Sequence, residues 1–135
     1  MDVAGRADRI RASFNGADQV LIVTKSANVR WLTGFTGSNG AVAISEEGVV
    51  IATDARYSEQ VARQLDAASV EAEVVIQRDV LGALLAAVRP GATVGLEEHH
   101  VTWAQQARAV ELLGPERVRP VDRLVEHERE TKDSG

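Results

Sequence analysis

Apolar positions change their period several times along this chain, and each change predicts an element. Val3, Ala7, Ile10 and Phe14 recur at three- and four-residue spacing, the stripe of a helix over 3–14. Asn15-Gly16 is the expected stop, because both residues tolerate the left-handed conformation. Val20-Leu21-Ile22-Val23-Thr24 is a continuous β-rich run and predicts a buried strand. Lys25 to Asn28 reads as a turn, and Val29 to Leu32 as a short strand. Gly34, Gly37 and Gly40 follow, spaced by three with small hydroxyl residues between them. Such a loop must turn tightly or let something approach its backbone closely. Ala41 to Ser45 and Val49 to Ala52 flank Glu46-Glu47-Gly48, the pattern of a hairpin.

Beyond Thr53 the period becomes helical. Tyr57, Val61 and Leu65 predict a helix over 55–66 with Asp54 as its N-cap. Glu73 to Ile76 is the next strand. Asp79 caps a helix carrying Val80, Leu81, Leu84, Leu85 and Val88, which Pro90-Gly91 ends. Thr93 to Leu96 is a strand, and Thr102-Trp103-Ala104-Gln105 has the spacing of a capping box. That helix stops at Gly114-Pro115. Arg117 to Val121 is an edge strand, because Pro120 has no N–H for a central ladder. The first half thus predicts antiparallel pairing and the second half parallel strands with helical crossovers. The expected fold is α/β, a mixed sheet of five to six strands flanked by helices, similar to the ribonuclease H-like arrangement. From Glu126 to Gly135 no apolar residue anchors the chain.

Composition narrows the picture. Hydrophobic residues make up 44% of 135 residues, enough for the core of one globular domain. The net charge of −5 argues against general nucleic-acid binding, which needs a basic face. The absence of cysteine excludes disulfides and thiolate chemistry. No apolar run approaches the roughly 18–20 residues of a membrane span, and no signal core opens the chain, so the expected location is cytoplasmic.

Candidate chemistry is sparse. Glu97-Glu98-His99-His100 gathers metal-capable side chains, but on a strand at most two of them share a face, and a catalytic metal needs more. A strand end running into a polar loop is the plainer reading. The glycine loop lacks the Gly-Lys-[Ser/Thr] ending of a phosphate cradle. No acid stands in the first strand, where ribonuclease H-like catalysis needs one, and no G-x-S-x-G or Ser/His/Asp set is present. No catalytic residue and no metal ligand is therefore assigned. Asp54 and Arg56 remain: either a cap with a surface cation, or a planar fork offered to a carboxylate or peptide carbonyl.

The residues Arg30-Trp31-Leu32-Thr33-Gly34-Phe35-Thr36-Gly37-Ser38-Asn39-Gly40, followed by Thr53-Asp54-Ala55-Arg56-Tyr57, resemble the N-terminal domain of the creatinase/prolidase/aminopeptidase P metallopeptidases. Those proteins often carry R-Y-L-T-G-F-x-G-S-x-G and then T-D-x-R-Y before a helix. The likeness is specific over 28–62 and rests on element order elsewhere. Trp31 stands where Tyr is more usual, and Asn39 where Ala is frequent. The resemblance implies the same sheet fold over 1–125, with 126–135 a charged tail that begins a linker; Arg129 to Lys132 resemble the family's R-x-x-K opening. It implies Arg56 as a substrate-binding residue, with Trp31 lining the same mouth. It also implies a separate C-terminal "pita-bread" catalytic domain holding two divalent metal ions, manganese by expectation, with no cofactor in this segment. The implied whole is a metal-dependent Xaa-Pro aminopeptidase or dipeptidase acting on short proline-containing peptides, a dimer or tetramer. In it this segment is non-catalytic, shaping access to the cleft and supporting oligomerisation. The alternative is a stand-alone binding or dimerisation module of the same fold. No nucleic acid or membrane partner is implied.

Overall fold

The structure is a computed structural model describing residues 3–14, 16 and 18–133. Six strands form one sheet in the order β4-β3-β2-β1-β5-β6. They are β1 (Gln19–Val23), β2 (Gly40–Ser45), β3 (Gly48–Thr53), β4 (Glu73–Ile76), β5 (Thr93–Glu97) and β6 (Val118–Val121). β2 pairs antiparallel with both β1 and β3. β4 joins β3, β5 joins β1 and β6 joins β5, all parallel. The hairpin closes with Ser45 opposite Gly48, and Gly48 takes a φ of +136° that a side chain would resist.

Among the described residues six α-helices flank the sheet: α1 (Arg6–Arg11), α2 (Ser26–Thr33), α3 (Ser58–Ala68), α4 (Val80–Ala86), α5 (Trp103–Leu113) and α6 (Leu124–Asp133). Side chains alternate along each strand, so the central strands serve two cores. Leu21, Val23, Val42, Ile44 and Ile51 face one side, where they meet Ile10, Val29, Leu32, Val61, Leu65 and Val125. Val20, Ile22, Ala41 and Ala52 face the other, with Leu81, Leu84, Leu85 and Ala109. Each fully buried Leu or Ile contributes about 1.5–3 kcal/mol. That double burial is why β1 reads as an unbroken apolar run. No helix among the described residues is long and apolar enough to cross a membrane.

Four elements depart from the sequence pattern. Lys25 to Leu32 is not a turn and a strand; Ser26–Thr33 is helix α2, closed by Gly34 at φ +84°. The first helix is shorter than 3–14, covering Arg6–Arg11, and Asn15 of its expected stop lies outside the described residues. The charged segment after Asp122 forms α6, held by Val125 at 1% exposure. Ala55–Tyr57 is a 3-10 turn ahead of α3 rather than its first α-helical turn.

Candidate functional site

The glycine loop is shaped by one ring. Phe35 is fully buried and packs edge-on to Tyr57, with centroids 5.7 Å apart and planes at 82°. A Cβ on Gly37 would lie 2.2 Å from Phe35 Cζ, and one on Gly40 2.8 Å from Phe35 Cε2. Neither position has room for a methyl group. The glycines thus mould the backbone around an aromatic anchor and present Ser38 and Asn39 outward. Ser38 Oγ lies 2.6 Å from Tyr57 Oη, and this bond holds the phenol below its usual pKa.

Asn39 ties the loop to the end of the hairpin. Its backbone carbonyl accepts from Thr53 Oγ1 at 2.6 Å. Its side-chain Nδ2 donates to Asp54 Oδ2 at 2.9 Å and to the Arg78 carbonyl at 3.1 Å. Asp54 in turn accepts from the Arg56 backbone N–H at 3.0 Å, capping the 3-10 turn. It also accepts from Arg56 Nε at 2.9 Å and Nη2 at 2.8 Å, a two-point fork. The Arg56 and Asn39 hydrogen bonds hold the Asp54 carboxyl far below the usual carboxylate range. At neutral pH it is therefore a fixed anion and not a proton donor. The Arg56 side chain is nonetheless 69% exposed, and its guanidinium carbon sits 5.1 Å over the Tyr57 ring. Among the described residues its Nη1 has no hydrogen-bond partner. The corner thus offers an oriented cation edge with polar Ser38 and Asn39 alongside, an arrangement suited to recognition.

Trp31, associated with Arg56 by the resemblance, is a core residue here. It is 8% exposed, with Arg6 Cζ 4.6 Å from its ring centroid. Arg6 Nη1 donates to its carbonyl at 2.8 Å. One ring face is thus covered by the Arg6 cation.

The acidic-histidine cluster divides. Glu97 turns inward and accepts from Thr24 N–H at 2.7 Å, Lys25 N–H at 3.0 Å and Asn28 Nδ2 at 2.7 Å. It places a carboxylate at the amino end of α2, where the helix dipole favours an anion. Arg129 of α6 completes the chain by donating to Asn28 Oδ1 at 2.8 Å. Sequence reasoning missed this network; the one signal was a carboxylate at the end of an otherwise apolar strand. Glu98 and His99 turn outward and meet Asp122, a ligand-capable group the local sequence did not supply. Their ligand atoms lie within 4.8 Å of one another, all on exposed residues. His99 Nε2 is 2.8 Å from Asp122 and 3.9 Å from Glu98, an ordinary surface arrangement.

With this geometry in place, the relatives can be set beside it. The sequence profile described as Creatinase/Prolidase N-terminal domain matches residues 6–131. The chain belongs to that family. Its fold matches the crystal structure of the N-terminal domain of cytoplasmic peptidase PepQ from Mycobacterium tuberculosis H37Rv, with 32% identity and a TM-score of 0.77, over 92% of this chain and 98% of that one. It also matches an Xaa-Pro dipeptidase from Bacillus anthracis, with 26% identity and a TM-score of 0.80, over 94% of this chain and 36% of that one. A curated relative, the uncharacterized peptidase YqhT of Bacillus subtilis (strain 168), is 44% identical over 57 residues, 41% of this chain. The matched stretch spans only 16% of that peptidase. The chain is a creatinase-type N-terminal domain resembling those of Xaa-Pro peptidases.

Proposed function

We propose that this chain is the non-catalytic N-terminal domain of a metal-dependent Xaa-Pro aminopeptidase or dipeptidase, walling one side of the catalytic cleft and supporting subunit contacts. The observation that carries this is Arg56: two hydrogen bonds to Asp54 fix its plane, while most of the side chain stays exposed. A fork fixed in advance loses little conformational entropy when it meets a carboxylate or carbonyl of a short peptide. The family's two divalent ions, manganese by our reading, polarise the scissile carbonyl and activate water when bound. Among the described residues no group fits such a pair. Glu98, His99 and Asp122 supply three ligand atoms on exposed side chains, too few for a two-metal centre. This domain therefore orients and confines the peptide, and hydrolysis belongs to the C-terminal catalytic domain. The cytoplasm is the compartment we assign, as for the PepQ relative.

The test is Arg56→Ala and Arg56→Lys in the full-length protein, assayed with Mn²⁺ on a proline-containing di- or tripeptide. Loss of a charge-assisted contact predicts a fall of roughly 10- to 100-fold in kcat/KM. Lys restores little of it, because it lacks the fork. Wild-type kinetics in both variants would remove Arg56 from the substrate path. Hydrolysis by the purified 135-residue segment with Mn²⁺ would overturn its non-catalytic role.

A further inference from the structure

The sheet has two four-residue edges: proline blunts β6, whereas β4 is guarded by a single charge, the exposed Glu73. At β6, Pro120 removes a ladder donor and an exposed Arg119 stands beside it, both devices that discourage pairing. At the other edge β4 pairs with β3 alone. Its residues Glu73-Val74-Val75-Ile76 include no proline and no lysine. Val74 and Ile76, which share one face, are 37% and 41% exposed. The outer backbone groups of β4 form the kind of row that recruits another strand.

We propose that β4 is a self-association edge, where two copies of this chain pair β4 with β4 antiparallel about a twofold axis and join their sheets into one. The residue pattern selects a second copy as the occupant. A twofold axis perpendicular to the sheet keeps each face on its own side, so residues that meet must share a face. Centring the axis on Val75 sets Val74 opposite Ile76 twice. Four exposed apolar side chains then cover one another on the Ile51 side of the sheet, the side that Val74 shares through the β3–β4 register. The ends differ in charge as well: Glu71 and Glu73 lead into the strand, and Arg78 follows it together with Asp79, whose charge is already paired with Arg108. Antiparallel pairing brings the acidic end of one copy beside the basic residue of the other. The pairing is short and buries less than the roughly 1,200 Å² of a stable interface, so the dimer is weak and concentration-dependent. This names the surface for the oligomerisation part of the function proposed above and rests on that reading in no other respect.

Sedimentation velocity of the 135-residue chain, from about 10 µM to about 1 mM, tests it across the range of weak interfaces. A domain of this size has been crystallised by itself in the PepQ relative. Wild type is expected to shift from monomer towards dimer. The double variant Val74→Lys/Ile76→Lys is expected to weaken self-association by about tenfold or more. Arg119→Glu on the opposite edge is expected to leave it unchanged. A wild type that stays monomeric at every concentration overturns the proposal. So does a folded double variant that dimerises like wild type, or a loss of dimer in Arg119→Glu. Should the double variant fail to fold, concentration-dependent amide shifts of wild type decide: changes confined to 71–78 support the β4 edge, and changes elsewhere overturn it. None of these outcomes alters the Arg56 test.

Discussion

Asp54 and Glu97 do the same elementary thing in opposite ways. Each is a largely buried carboxylate that accepts backbone N–H groups where a helical segment begins. Asp54 draws its partners mostly from its own neighbourhood, with Arg56 two residues away and Asn39 fifteen. Glu97 reaches across the sheet to partners 69 to 73 residues distant. The local carboxylate organises an exposed cation, the group to which we assign recognition. The distant one satisfies the buried Asn28 amide and two half-buried backbone donors and so serves stability. A carboxylate's role follows from where its partners end up, and chemical type alone does not assign it.

The sharpest way to break this contrast is Glu97→Ala. It strands two backbone N–H groups and the Asn28 amide, and a loss of about 3 kcal/mol is expected for removing a hydrogen-bonded buried charge partner. Urea unfolding should show this as a lower midpoint with an unchanged slope. A smaller loss than in Asp54→Ala would reverse the assignment of roles. Next in size is Gly37→Ala, whose methyl collides with Phe35 and Tyr57. Overpacking here should cost about 1–3 kcal/mol, measured by thermal melting, with partial rescue by Phe35→Leu. The smallest effect concerns pH. The folded-state pKa of Asp54 lies below its unfolded value of about 3.9. Its contribution is therefore present at neutral pH and is lost as pH falls below about 4 through the folded value. The stability gap between wild type and Asp54→Asn should narrow over that acidic range. A gap that stays constant down to pH 2 would mean the Arg56 fork adds nothing to the folded state.

Much of the fold was legible because its signals are local. The hairpin register, the Thr102–Gln105 capping box, the Asp79 cap and the Pro120 edge all follow from residues a few positions apart. The family resemblance lies on that same local stretch, which is why Arg56 could be singled out. Helix α2 was illegible for the complementary reason. Val29, Trp31 and Leu32 suit a strand by type, and the carboxylate at the helix's amino end comes from β5. The Val29–Leu32 spacing with Gly34 behind it was the available helical hint. The burial of Trp31 was illegible as well, because its surroundings depend on Arg6 and α1, which only tertiary packing brings over the ring. The same holds for α6: its anchoring residues, Leu124 and Val125, precede the charged run, and its polar ties go to Lys25 and Asn28.

Those ties make α6 a lever. A helix is a stiff rod rising about 1.5 Å per residue, and this one is bolted at its root by Val125 and braced along its flank by Lys25 and Asn28. Arg56 is anchored to the end of β3 in the same sheet. Whatever α6 carries is thereby aimed relative to Arg56, as two arms of a set square are aimed by their corner. A reacting group displaced by about 1 Å loses roughly a hundredfold in rate. In the peptidase we propose on this frame, loosening the brace at the buried Asn28 is expected to surface as a slower enzyme.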